Sequence, residues 1–134
     1  MKIRYLYKII MVDLIYKEEA YEIVGICMEV HNELGPGLLE IVYKEALEYE
    51  FAERDILYER EKPFPVKYKT IILKRKFHAD FTVYNKIILE IKAKETFSNE
   101  DIAQAINYLK VSGYQLALLV NFGKSKLEVK RIVL

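Results

Sequence analysis

Between Phe77 and Lys94 the chain reads FHADFTVYNKIILEIKAK, and apolar and polar positions alternate along it. Phe77, Ala79, Phe81 and Val83 alternate on a first arm; Ile87, Leu89, Ile91 and Ala93 do so on a second. This period of two is the mark of half-buried strands, with Tyr84-Asn85-Lys86 as the turn between them. The other face carries His78, Asp80 and Thr82 on the first arm, and Ile88, Glu90 and Lys92 on the second. Register decides whether these groups meet, because a slip by one residue turns every side chain to the opposite face. A two-residue turn at Asn85-Lys86 pairs Phe81 with Glu90 and separates Asp80 from Glu90. A three-residue loop pairs Val83 with Ile87, Asp80 with Glu90 and His78 with Lys92. Only the second register matches the two hydrophobic faces, although Lys86 is not a favoured residue for the left-handed end of such a loop.

From Lys17 to Leu34 the period changes. Ala20, Ile23, Val24, Cys27, Val30 and Leu34 recur at helical spacing and give one apolar face. Gly35-Pro36-Gly37 ends this helix. A second helix is predicted over roughly Leu38 to Arg54, with Leu39, Val42, Ala46 and Leu47 inward. Glu40, Tyr43 and Leu47 lie along one side of it. His31 reads as a packing or capping residue. Ile56 to Tyr68 is extended, and Pro63 and Pro65 make it an edge or bulged strand. Lys67, Lys69, Lys74, Arg75 and Lys76 crowd around a turn near Thr70; they suit a solvated strand edge protected by lysines or a phosphate-binding rim.

After Lys94, Ser98 or Asn99 caps a third helix with Glu100 and Asp101 in its first turn. Ile102, Ile106 and Leu109 form its core stripe, and Asp101, Gln104 and Tyr108 share another side. Gly113 stops it. Gln115 to Asn121 is a near-continuous apolar run, as in a strand covered on both faces, and Leu127 to Val133 alternates as a last strand. The predicted order is ααβββαββ. It contains no internal repeat and no linker. Residues 1–12 read as an N-terminal extension: an edge strand, a loose arm or a stretch upstream of a start at Met11. They lack the apolar core of a secretory signal. Residues 13–134 read as a single domain.

The chain has 134 residues and a net charge of +1, so bulk charge announces neither a nucleic acid nor a membrane. No apolar run reaches membrane-spanning length. The one cysteine, Cys27, excludes an internal disulfide and fits a reducing cytoplasm. Phosphate loops, dinucleotide-binding glycine fingerprints and zinc-spaced Cys/His clusters are lacking. Two carboxylates and a backbone carbonyl on adjacent strands are a hard, oxygen-rich set that suits Mg²⁺ or Mn²⁺ better than Zn²⁺. A metal there can hold a phosphodiester oxygen, acidify a water and stabilise the leaving oxygen, with Lys92 offsetting transition-state charge. The D…ExK pattern alone is more often that of a solvated strand face than of a metal site.

A resemblance sharpens this. Gly37-Leu38-Leu39-Glu40-Ile41-Val42-Tyr43 matches the motif of the GxxExxY protein family. NELGPGLLE, VYKEAL, HADF, LEIKA and AQAINYLK resemble that family in the same order. The similarity runs from about Asp13 to the C-terminus. The family is similar to the PD-(D/E)xK nucleases, and the resemblance implies a restriction-endonuclease-like α/β fold, a mixed β-sheet flanked by α-helices. It implies metal ligation by Asp80, Glu90, the Ile91 carbonyl and Glu40, with Lys92 assisting catalysis. Gln104 and Tyr108 fit the Q-x-x-x-Y helix motif of some branches. Ala79 stands where the superfamily name has proline. The expected activity is Mg²⁺- or Mn²⁺-dependent hydrolysis of a nucleic acid, DNA before RNA. The alternatives are an inactive nuclease-fold module that binds nucleic acid or protein through the Lys67–Lys76 rim and Lys94, and a subunit or homodimer that uses some of its eleven tyrosines as an interface.

Overall fold

The computed structural model describes residues 15–134. The extension read at residues 1–12 lies outside the described residues. Two helices come first, α1 (Lys17–Leu34) and α2 (Glu40–Glu53). Strands β1 (Tyr58–Arg60), β2 (Pro63–Tyr68), β3 (Ile71–His78), β4 (Phe81–Val83) and β5 (Ile87–Lys92) follow. Helix α3 (Asn99–Ser112) then leads to β6 (Leu116–Asn121) and β7 (Glu128–Val133). The fold is α/β, as expected from the sequence, but the stretch read as three strands forms five.

The central sheet has the order β1-β4-β5-β6-β7. Among the described strands of this sheet only β5 and β6 run parallel; the other pairs are antiparallel. Helix α3 is the connection that a parallel pair requires. All six residues of β6 are buried, so its continuous apolar run reflects cover on both faces. On one face Phe81, Val83, Leu89, Ile91, Leu118 and Val120 pack against α1 and α2. On the other, Ile88, Ala117 and Leu119 pack against Ala105, Tyr108 and Leu109 of α3. Each fully buried Leu, Ile or Phe contributes roughly 1.5–3 kcal/mol.

The β4–β5 register is the one selected by the hydrophobic faces: Val83 opposite Ile87, Thr82 opposite Ile88 and Phe81 opposite Leu89. Tyr84 and Asn85, rather than Lys86, take the left-handed conformation. The Lys86 side chain is 2.6 Å from Glu19 and the Tyr84 hydroxyl donates to Glu22, so tertiary contacts override turn preference. The first arm, however, is not one strand. It breaks at Ala79-Asp80, between β3 and β4. Phe77 and Ala79 belong to the α3 side, whereas Phe81 and Val83 belong to the α1–α2 side. His78 pairs with Pro63 in the separate β2–β3 sheet and not with Lys92. Pro63 and Pro65 do lie in a two-stranded sheet with a register shift after Pro65.

Helix α2 buries Tyr43, Leu47 and Phe51, and Leu39 is 74% exposed instead of inward. Gly35 and Gly37 have φ of 69° and 99°, conformations that glycine adopts without strain. The Tyr43 hydroxyl donates to the Gly35 carbonyl at 2.6 Å and accepts from the Leu38 amide at 3.2 Å. This ties the glycine turn to α2 and fixes where Glu40 begins the helix. In α1, Ile26 and His31 join the core while Leu34 sits at its margin; His31 Nε2 lies 2.8 Å from the Lys124 carbonyl.

Asn121 fastens the ends of the parallel strands. Its side chain is fully buried, accepts from the amides of Lys94 and Gly123, and donates to the Lys94 carbonyl and Glu128. A Cβ on Gly123 would lie 2.2 Å from the Lys94 carbonyl oxygen, so only glycine lets the two backbones approach. Asn121→Ala should cost about 2–4 kcal/mol, since it leaves buried backbone groups unpaired. Urea unfolding monitored by circular dichroism checks this; a change under about 0.5 kcal/mol would refute the role.

Candidate active site

The break after β3 places Asp80 at the margin of the central sheet, where both faces can reach it. Its backbone carbonyl accepts from the Glu61 amide at 3.0 Å, which pins the break to the β1–β2 connection. Its carboxylate Oδ2 accepts from the Ile91 amide at 2.8 Å. Within a strand the amide and carbonyl of one residue point to the same side. The Ile91 carbonyl is therefore directed to the side of β5 where Asp80 stands and β4 has not yet begun.

Glu90 projects onto the α3 face beside Ile88 and lies against the Asp80 carboxylate. Its pKa is raised to about 10, first by burial, then by the hydrogen bond with Asp80 and the charge of Asp80. Two carboxyl groups this close cannot both ionise cheaply away from water. Lys92 acts in the opposite direction on the same carboxyl. The Glu90 Oε1 atom is buried without a partner, as is the Thr82 hydroxyl on the same face of the neighbouring strand. Buried oxygen atoms that lack a donor are costly, and an oxygen-seeking cation is one group that satisfies them.

On the other side of Asp80 stands Lys44, which is not among the site residues expected from the sequence. Its Nζ lies 2.7 Å from Asp80 Oδ1 and 3.1 Å from Glu40 Oε1, and its side chain is only 12% exposed. Burial opposes the charge of Lys44, but the contacts with Asp80 and Glu40 outweigh it and raise the pKa. The ammonium therefore takes the place between two acids that a cation would take. Glu40 and Lys44 stand at the i,i+4 spacing that brings side chains together on a helix, and that spacing was the available signal. The contact with Asp80 is tertiary and had none.

Lys92 faces α3. Its Nζ donates to Gln104 Oε1 at 3.3 Å and lies 3.9 Å from Asp101 Oδ1. Asp101 also holds Lys94 at 2.7 Å and closes a capping box with Ser98. Burial raises the Asp101 pKa, but Lys94 and the Ser98 amide more than reverse this. Asp101, on the helix face read with Gln104 and Tyr108, thus keeps an anion beside both lysines. The Tyr108 hydroxyl donates to the His78 carbonyl at 3.1 Å. Its pKa is raised by burial, then by the charges of Glu90 and Asp80, so it remains a neutral phenol.

The expected residues therefore gather in two linked parts: Asp80, Glu90 and the Ile91 carbonyl at the break, and Lys92 with Gln104 and Tyr108 beside α3. Glu40 reaches Asp80 only through Lys44. Among the described residues no three His, Cys, Asp or Glu side chains come together as a ready metal cage. The described residues contain no helix long and apolar enough to cross a membrane.

The sheet is mixed, with helices on both faces and an acid pair beside a lysine at its margin. The model of the PD-(D/E)XK nuclease superfamily matches residues 17–132, and the chain belongs to that superfamily. Neither the curated proteins nor the solved structures give a match.

The raised pKa of Glu90 sets a pH dependence. A carboxyl that is held protonated in the folded state favours folding below its ordinary pKa of 4.5, and this contribution is lost as pH rises toward about 10. Metal-free protein should lose stability across that window. Glu90→Gln should flatten the profile and stabilise the protein at neutral pH by about 1–3 kcal/mol. Chemical denaturation in metal-free buffer at several pH values checks this, and an unchanged slope would show that the carboxyl is not under strain.

Proposed function

We propose that this protein is a nuclease of the GxxExxY type, one catalytic domain over residues 13–134, that uses Mg²⁺ or Mn²⁺ to hydrolyse DNA phosphodiester bonds. The observation that carries the reading is the meeting of Asp80 and Glu90 at the strand break, with Glu90 Oε1 left without a partner, in a chain of a nuclease superfamily. The donors are all oxygens, as a hard dication requires. Asp80, Glu90 and the Ile91 carbonyl would hold it, with Glu40 joining when Lys44 moves. When bound, the ion supplies Lewis acidity toward a phosphodiester oxygen and charge neutralisation at the leaving oxygen. Lys92, oriented by Gln104 and Asp101, orients the attacking water and offsets charge on the phosphoryl oxygens. Tyr108 positions the β3–β4 break through His78. The lone cysteine, Cys27, is a free thiol, in keeping with a cytoplasmic location.

One observation favours a second reading, a nuclease-fold binding module without turnover. Lys44 already pairs with Asp80 and Glu40 and so stands where a cation would otherwise be needed.

Calorimetric titration with Mn²⁺ and cleavage of plasmid DNA separate the two. In the nuclease reading Asp80→Asn abolishes both binding and cleavage. Lys92→Ala leaves Mn²⁺ affinity nearly unchanged but lowers the cleavage rate by about 10²–10⁴-fold. Failure of the wild type to bind Mn²⁺ at millimolar concentration would leave only the binding module.

Lys44→Met tests the competing ammonium. Removing it should tighten Mn²⁺ binding by about tenfold, roughly 1.4 kcal/mol, and destabilise the metal-free protein. Weaker Mn²⁺ binding in this variant would instead make Lys44 a support of the site.

A further inference from the structure

Strands β2 and β3 form a two-stranded sheet of their own. The segment from Pro63 to His78 carries Lys67, Lys69, Lys74, Arg75 and Lys76 and no acid, in a chain whose net charge is only +1. All five cations are exposed. None takes part in the ion pairs found among the described residues. Apolar residues crowd the tip: Tyr68, Ile71 and Ile72 are 55%, 56% and 60% exposed. Pro65 lies opposite Lys76, on the face turned away from Phe64 and Phe77, and Lys67 lies opposite Ile72 beyond the register shift. Lys74 and Arg75 fall in the irregular stretch between.

The base of this ribbon is fixed. Phe64 packs edge-on against Tyr114 and Phe77 against Tyr108 of α3. Tyr108 also holds the His78 carbonyl, two residues before Asp80. The base of the ribbon therefore ends beside the strand break.

We propose that the β2–β3 ribbon is the surface by which this chain grips its nucleic acid, entering the major groove of B-form DNA; this rests on the nuclease reading above. The eight residues of β3 span about 26 Å. A two-stranded ribbon fits a groove about 12 Å wide, whereas the A-form major groove of duplex RNA is too narrow for side chains to read. Cations distributed along the ribbon meet the phosphates of the groove walls. Ile71 and Ile72 at the tip offer apolar contact to base edges such as the thymine methyl. A second copy is a poor occupant, because ribbon-to-ribbon pairing would bring together five unpaired cations from each chain.

The test is fluorescence anisotropy in metal-free buffer with a 30-base-pair DNA duplex (~30, about three helical turns), the RNA duplex of the same sequence, and anionic phosphatidylserine vesicles as a control. The full chain is compared with a variant carrying Lys67→Gln, Lys74→Gln and Lys76→Gln, and with a tip variant carrying Ile71→Ser and Ile72→Ser. Wild type should prefer DNA duplex to RNA duplex by at least about tenfold. The lysine variant should lose at least about tenfold in DNA affinity, and its log–log salt slope should be shallower by about 0.9 per phosphate contact removed. Equal affinity for both duplexes, an unchanged slope in the variant, preference for vesicles, or oligomerisation that disappears in either variant would overturn the proposal. Mn²⁺ binding, measured separately on the same variants, judges the nuclease reading: a protein that binds Mn²⁺ but grips duplexes without its ribbon refutes the ribbon alone.

Discussion

Two acidic side chains, Glu90 on β5 and Asp80 at the break before β4, are held against each other, and much of the surrounding structure follows from that constraint. Glu90 lies in the sheet face that α3 covers, and Asp80 stands at the margin where β3 gives way to β4. Such a pair is unfavourable unless a proton or a cation is shared. The structure holds two partial answers. Glu90 is driven toward its protonated form, and Lys44 supplies a positive charge to Asp80 from α2. Neither satisfies Glu90 Oε1. An arrangement that leaves part of its charge unanswered is held there by the rest of the fold, because replacing a buried ionic group by apolar residues is often neutral or stabilising.

The supports lie at some distance from the acids. Tyr43 joins the Gly35 turn to α2 and stacks on Phe122 with ring centroids 4.6 Å apart. The same helix carries Glu40 and Lys44, so the glycine turn and the tyrosine determine where these two side chains begin. Asn121 clamps Lys94 just beyond the end of β5, which fixes the strand that bears Glu90 and Lys92. The capping box of Ser98 and Asp101 starts α3, and Asp101 then faces Lys92 and Lys94. Glycine, asparagine and serine thus control the geometry, although none is itself a candidate for chemistry.

The sequence was informative where a pattern is local. Helix α1 was legible from its apolar period and its glycine stop, and the β4–β5 register from the match of hydrophobic faces. The break at Ala79-Asp80 was not legible, because Phe77, Ala79, Phe81 and Val83 keep the alternation of one uninterrupted strand while the chain passes from one side of the sheet to the other. Alternation reports that a face is covered but not which layer covers it. For the same reason the inward face of α2 was misjudged: Leu39 has apolar chemistry, yet it precedes the helix and points to solvent. Asp80 with Glu90 could be anticipated from register. The contact of Lys44 with Asp80 joins residues far apart in the chain, and no periodicity encodes it.

The break also reconciles the ribbon with the central sheet. A continuous strand from Ile71 to Val83 would carry the polar face of β3 directly into the face that α3 covers, and its lysines would compete with the core for that side. Ending β3 at His78 lets Phe77 anchor the ribbon on Tyr108 of α3, and Phe64 on Tyr114 just beyond that helix, while its cations stay exposed. The same interruption leaves the Ile91 amide without a strand partner on the β4 side, and the Asp80 side chain takes that role at 2.8 Å. One departure from regular pairing therefore does two things. It frees a basic arm from the sheet, and it recruits a carboxylate as a substitute for the missing backbone acceptor, beside a glutamate that the α3 face has already buried.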